Sequence, residues 1–208
     1  YGDLKPERID AREIAYVGRV LKDTMVDLRL YKNKIEDIIY AYKLEGTGGY
    51  DNIDDFVYVF ENTNDAKIYG GEFQLSYRYN DNRVLLSYAH NHVKADGWYN
   101  PHRIEQSFPE ENLSVLWSRH FTDGYSTAIE YHYIDSHRHL DGDKKGPADE
   151  LLGPTKRLDI QFGKSFKFGS AKLKIIAGAE NLMDEYIDYR LENTHDARYY
   201  VKLSGELR

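Results

Sequence analysis

The chain has 208 residues, with 35 acidic against 28 basic side chains and a formal net charge of −7. That length suffices for one domain with a substantial core, and the acidity argues against a phosphate-tracking, nucleic-acid-binding surface. No apolar run reaches the roughly 18 residues that a membrane helix requires, and the absence of cysteine excludes a disulfide framework, a thiolate metal site and a cysteine nucleophile.

The mean hydropathy of −0.71 does not exclude a membrane barrel. In a barrel wall only every second residue meets lipid, so the average stays low while each strand remains amphipathic. Aromatic residues make up 14% of the chain, as 19 Tyr against 8 Phe and 2 Trp. Tyr favours strands, and its ring suits a membrane–water boundary.

Alternation with period two recurs along the chain, the signature of strands with one apolar and one polar face. Strands are expected near 9–20 and 24–43, the second carrying Val26, Leu28 and Leu30 against Asp27 and Arg29. A third, near 55–79, sets Phe73, Leu75, Tyr77 and Tyr79 against Glu72, Gln74, Ser76 and Arg78, while Asn62 to Asp65 interrupt its alternation as an unpaired bulge or a protruding bend would. Strands follow near 83–93, 111–121 and 125–135, the last alternating Ile129, Tyr131 and Tyr133 with Glu130 and His132. Three more lie near 156–166, 170–181 and 197–207, giving about nine in all.

Short and long connections alternate strictly. Tight turns fall at Leu21 to Asp23, Asn80 to Asn82, Thr122 to Gly124 and Lys167 to Gly169, and long polar loops at 44–54, 94–110, 136–155 and 182–196. An outer-membrane barrel has this asymmetry, with tight periplasmic turns and long extracellular loops. The expected fold is therefore all-β, an antiparallel transmembrane β-barrel portion. If the last strand descends to the periplasm, all four long loops are extracellular.

The candidate sites are sparse. His90 and His92, and His137 and His139, stand two apart, which puts each pair on one side of an extended segment. No third ligand falls in register, so scattered rim histidines are the favoured reading and no metal is expected. Asp141, Asp143, Gly146 and Asp149 echo a calcium loop, but Lys145 and Leu152 occupy positions where ligands belong. Gly46-Thr47-Gly48-Gly49 lacks the lysine and the strand-to-helix setting of a phosphate loop. No catalytic set stands out. In the long loops, Trp98, Tyr99, His102 and Arg103 are the ligand-binding candidates, since arginine beside aromatics suits an anionic planar chelate; packing of the loop upon itself is the alternative.

Leu4-Lys5-Pro6-Glu7 followed by Glu13 resembles the Leu-x-Pro-Glu segment that precedes a descending strand in the TonB-dependent outer-membrane receptors. Asn62 followed by Tyr69-Gly70-Gly71-Glu72 is similar to that family's Asn…Gly-x-Glu stretch, Asn181-Leu182-Met183-Asp184 to its Asn-Leu-Phe-Asp segment, and Arg198-Tyr199-Tyr200 to the opening of its final strand. The resemblance spans essentially the whole chain and implies the C-terminal part of a receptor barrel, without the plug domain and the N-terminal barrel strands. Family barrels have about 22 strands. The family usually ends on an aromatic residue, whereas this chain ends at Arg208.

The resemblance implies active transport of a ferric siderophore or similar scarce nutrient, energised by the TonB complex acting through the plug, with outer-membrane lipid as surroundings and no resident cofactor. On it, Glu72, Gln74, Arg78, Arg157, Asp159, Lys172, Lys174 and Glu180 are expected to face the lumen. Two rival readings remain: a small outer-membrane barrel enzyme, and a soluble β-sandwich or lipocalin-like binding module.

Overall fold

The computed structural model describes residues 3–43, 58–98, 100–138, 151–183, 185–187 and 194–207. Strands β1 (Arg8–Leu21), β2 (Thr24–Lys43), β3 (Tyr58–Tyr79) and β4 (Asn82–Gly97) lead to a short helix, α1 (Pro101–Gln106), then β5 (Glu111–His120) and β6 (Tyr125–Ile134). After them come the two-residue β7 (His137–Arg138) and β8 (Leu151–Leu152), then β9 (Thr155–Phe168), β10 (Ala171–Glu180), the short β11 (Tyr186–Ile187) and β12 (Thr194–His195), and β13 (Arg198–Leu207). The nine long strands form one sheet in the order β1-β2-β3-β4-β5-β6-β9-β10-β13. Every neighbouring pair is antiparallel.

The register converts sequence alternation into two faces. On one, Tyr77, Val84, Trp117, Ile129, Ile160, Ala179 and Tyr199 stand in a single row across seven strands. On the other, Asp27, Gln74, Ser87, Ser114, His132 and Arg157 form a row across six. The apolar face is uncovered among the described residues: Ile14 is 78% and Phe162 53% exposed. A sandwich or a lipocalin would bury such a face in an interior core, so the soluble alternative does not describe this sheet. Near the short turns the apolar face carries an aromatic fringe, with Tyr77 stacked on Tyr79 and Phe166 on Phe168. Lys164, on the same face, lies 3.5 Å from the centre of the Tyr125 ring and donates to the Asp123 carbonyl at the turn, its charge carried off the apolar belt.

The tight turns are made by residues that tolerate left-handed backbone, Asn80 at φ 50° and Asp123 at φ 62°. Two bulges sit opposite one another higher in the sheet. Between Ile35 and Ile38 an extra residue enters β2, where Asp37 has φ 59°, and between Asn64 and Asn62 the extra residue Thr63 enters β3. The bulge expected in the third strand is therefore present, with a partner in the second.

Within 94–110, expected as a polar loop, the described residues include the end of a strand and a helix. β4 runs on to Gly97, and α1 folds back with Ile104 packed on Ala66 and Val93. Pro101 opens the helix, where a missing N–H costs nothing.

Candidate functional site

The long-loop end of the sheet is built around the double bulge. Asn62 accepts from the Lys5 N–H at 2.8 Å and donates to the Lys5 carbonyl at 2.9 Å and the Asp37 carbonyl at 2.6 Å. Glu7 accepts from the Ile39 N–H at 2.8 Å, and Asp65 from the Asp37 N–H at 3.0 Å. Bulges strand backbone groups, and these side chains satisfy them. The motif segment Leu4, Pro6 and Glu7 is thus a strap fastened by Glu7 and Asn62, with Leu4 itself 48% exposed. Gly97, at φ 142°, closes the cluster from β4, and a β-carbon there would meet the Thr63 carbonyl at 2.3 Å.

Lower on the polar face, Gly70 serves a different purpose. The Tyr31 ring lies over it, and the Tyr31 hydroxyl donates to Asn91 on β4, so that one side chain bridges three strands. Glu72 and Gln74 follow on the same face, across from Arg29 and Asp27, which form a two-pronged pair at 3.1 Å for each contact.

A charged network occupies the polar face where β6, β9, β10 and β13 approach their long loops. Arg157 grips Asp159 with two contacts, of 2.9 and 2.5 Å. Its guanidinium is also 3.9 Å from Glu180, which accepts from Arg198 Nε at 3.1 Å. His132 stands opposite Arg157 in the register, its Nε2 3.0 Å from Glu130. The network is pinned by Asn181, only 4% exposed and left-handed at φ 55°. Its N–H donates to Asp159 at 2.9 Å and its Nδ2 to the His195 carbonyl at 2.6 Å, while the Leu182 N–H donates to the Leu158 carbonyl. This is why the motif needs asparagine: a small amide that accepts left-handed backbone and turns the chain out of β10.

All eight side chains expected to face the lumen fall on the polar face. Glu72, Gln74 and Arg78 share a face of β3, Arg157 and Asp159 one of β9, and Lys172, Lys174 and Glu180 one of β10, in register with Glu206, Ser204 and Arg198. Three of the four loop candidates, Trp98, His102 and Arg103, are among the described residues. Trp98 is 58% exposed and donates its N–H to the Thr63 carbonyl, His102 is turned to Glu105 at 3.0 Å, and Arg103 is half-buried in α1. Glu105 also accepts from the Ala95 N–H at 3.1 Å. That bond, then His102, holds its carboxyl below the ordinary glutamate range. Tyr99, His139, Asp184, the glycine-rich tip at 46–49 and the acidic loop at 141–149 lie outside the described residues.

The rim histidines do meet carboxylates, which their spacing alone does not disclose. His92 Nδ1 is 3.7 Å from Glu110, and His90 Nδ1 is 4.0 Å from Glu111, its partner across the ladder. Among the described residues no three such groups converge on a metal position.

A nine-stranded antiparallel sheet with an uncovered apolar belt, aromatic fringes and a charged opposite face defines the wall of a membrane β-barrel. The family model for the TonB-dependent receptor-like β-barrel matches residues 1–182, and the chain belongs to that family. Its members are receptors of the bacterial outer membrane, not enzymes, which sets the enzyme alternative aside. Among solved structures it resembles the ferric-catecholate import receptor Fiu of E. coli K12, at TM-score 0.69 and 18% identity, over 99% of this chain and 28% of that one. It also resembles the copper transporter OprC (TM-score 0.62, 17% identity, 90% of this chain and 27% of that one) and FpvAI in complex with pyocin S2 (0.65, 15%, 97% and 28%). The chain thus spans just over a quarter of the length of these receptors. No curated protein matches it.

Proposed function

We propose that these nine strands are the C-terminal part of a plugged outer-membrane barrel that takes up a scarce nutrient, a ferric siderophore in the first instance, energised by the TonB complex through a plug carried elsewhere in the protein. The observation that carries this reading is the charged polar face. Arg157, Asp159, Glu180 and Arg198 form a hydrogen-bonded network on a sheet whose other face is fit for lipid. A wall with only an apolar interior behind it has no use for such a network, whereas a water-filled or plugged lumen does.

In this reading Glu72, Gln74, Arg78, Lys172 and Lys174 line the same passage or hydrogen-bond the plug. Trp98, Tyr99, His102 and Arg103 belong to the extracellular rim, where ligand first lands. Fiu imports a ferric catecholate, and FpvA has been captured with iron-loaded pyoverdine, which supports an iron chelate as the first ligand to test. OprC makes copper the comparison to run beside it.

The test is uptake of radiolabelled iron by cells with and without the full-length receptor, supplied as catecholate or hydroxamate chelates under iron limitation. Receptor-dependent uptake abolished by a protonophore is expected. Equal uptake in the deletion strain, for every chelate offered, would overturn the siderophore assignment.

A further inference from the structure

The apolar face ends abruptly toward the long loops and gives way to a basic stripe. Ile14 and Leu30 pair across β1 and β2. One step along the same face come Arg12, Lys32 and Tyr69, and one step further Asp10, Lys34, Lys67 and Lys94 stand side by side on four adjacent strands. That they share the lipid-side face is shown by burial: Lys67 and Lys94 are exposed, while their neighbours Ala66 and Val93 are buried against α1 on the other side.

Like charges directly opposite one another in a sheet repel. The acids nearby relieve the conflict at Lys34, which stands opposite Asp10 and pairs with Glu36, but not between Lys67 and Lys94. Asp10 is held by Arg12 and Glu36 by Lys34, while Asp65 and Asp96 accept from the Asp37 and Gly97 N–H groups. Among the described residues no carboxylate pairs with Lys32, Lys67 or Lys94; Lys32 has only the Tyr69 ring, 5.3 Å away.

We propose that this stripe binds the phosphate groups of lipids in the outer leaflet. Lys32 and Lys34 lie two and four residues beyond Leu30, so about 7 and 14 Å along the strand, and less in height because barrel strands tilt. Flexible lysine stems let the ammonium groups settle at head-group depth. One molecule can rest its acyl chains on Ile14 and Leu30 and its phosphate between Lys32, Lys67 and Lys94. Continuity with the belt favours a lipid over a free anion or a protein partner. A bound phosphate removes the repulsion between Lys67 and Lys94. It would also tie β2, β3 and β4 together beside the double bulge, where the ladder is interrupted.

The inference rests on the membrane-embedded reading of the sheet, and the test separates the two. Full-length receptor in neutral detergent is titrated with bisphosphorylated lipid A, with the same glycolipid stripped of phosphate, and with inorganic phosphate, bound lipid being counted by native mass spectrometry. The phosphorylated form is expected to bind preferentially, and Lys32→Gln, Lys67→Gln and Lys94→Gln together to weaken it about tenfold or more. The same charge change at the short-turn end, Lys22→Gln, Arg83→Gln and Lys167→Gln, is expected to leave binding within about twofold. Equal binding of the two glycolipids, unaltered binding by a triple variant that keeps its unfolding midpoint, or displacement by equimolar inorganic phosphate would each overturn the proposal. A receptor that stays monodisperse without detergent would instead overturn the membrane reading beneath it.

Discussion

Tyr31 and Gly70 face each other across the β2–β3 ladder, the ring lying so close that a β-carbon on Gly70 would sit 2.4 Å from it. The glycine is needed for what the hydroxyl reaches beyond it, Asn91 on the next strand. Gly70→Ala must push the ring aside and forfeit that bond. A loss of about 1–3 kcal/mol is expected from overpacking, against about 1 kcal/mol for Tyr31→Phe, which removes only the hydrogen bond. Urea unfolding of the full receptor in detergent, followed by tryptophan emission, measures both. Equal midpoints for Gly70→Ala and the parent would show that the ring is not held there.

Asn62 makes three backbone contacts that no other side chain could reproduce in the same geometry, two to Lys5 and one to Asp37. In Asn62→Ala the strap at residues 3–7 loses its anchor while β1 below it keeps its ladder to β2. The expected result is local: amide exchange at Lys5 and Ile39 rises by one to two orders of magnitude, consistent with about 1–3 kcal/mol for stranded polar groups. Amides of β9 and β10 should not change. Glu7→Gln, which still accepts from the Ile39 N–H, should have the smaller effect.

These two relationships show how much of the molecule is legible in its residues. Alternation of Phe73, Leu75 and Tyr77 with Glu72, Gln74 and Ser76 defines a two-faced strand without reference to any neighbour. Strand ends agree within a few residues for the same reason. Partnerships depend on register, which single strands do not encode, so neither the Arg157–Glu180 contact nor the Glu111–His90 contact can be read from the residues alone. Helix α1 escapes the pattern because six residues make under two turns, too few for a period to show; its order comes from Ile104 burial and Glu105. The second bulge does leave a sign. Ile35, Ile38 and Ile39 break the alternation of β2, and that break marks the bulge at Asp37.

Glu105 gives α1 a pH dependence. Its carboxyl is held low by the Ala95 N–H and by His102, so its folded pKa lies beneath the unfolded value of about 4.3. The stabilisation is therefore complete above that unfolded value and is lost as pH falls through the folded one. α1 should loosen from β4 under acid while the sheet persists. Proton exchange at the Ala95 amide, normalised to amides in β10, should climb below about pH 4 in the parent and be high at all pH values in Glu105→Ala. A flat profile in the parent would remove Glu105 from the docking of the helix.

Asp159 links the charged network to the loop that leaves β10, because it accepts from both Arg157 and the Asn181 N–H. Asp159→Ala leaves Arg157 to Glu180 alone and frees the Asn181 backbone. The expected loss of stability is about 1–3 kcal/mol, since a partly buried cation is left without its main partner. Double substitution by Arg157→Met with Asp159→Leu removes both charges and should recover part of that loss. The pair also separates structure from transport. If the polar face only supports the wall, the double variant should regain uptake along with its unfolding midpoint. If the face guides ligand or plug, as proposed, the midpoint recovers and uptake under iron limitation does not. Recovery of both would confine Arg157 and Asp159 to holding the strands together.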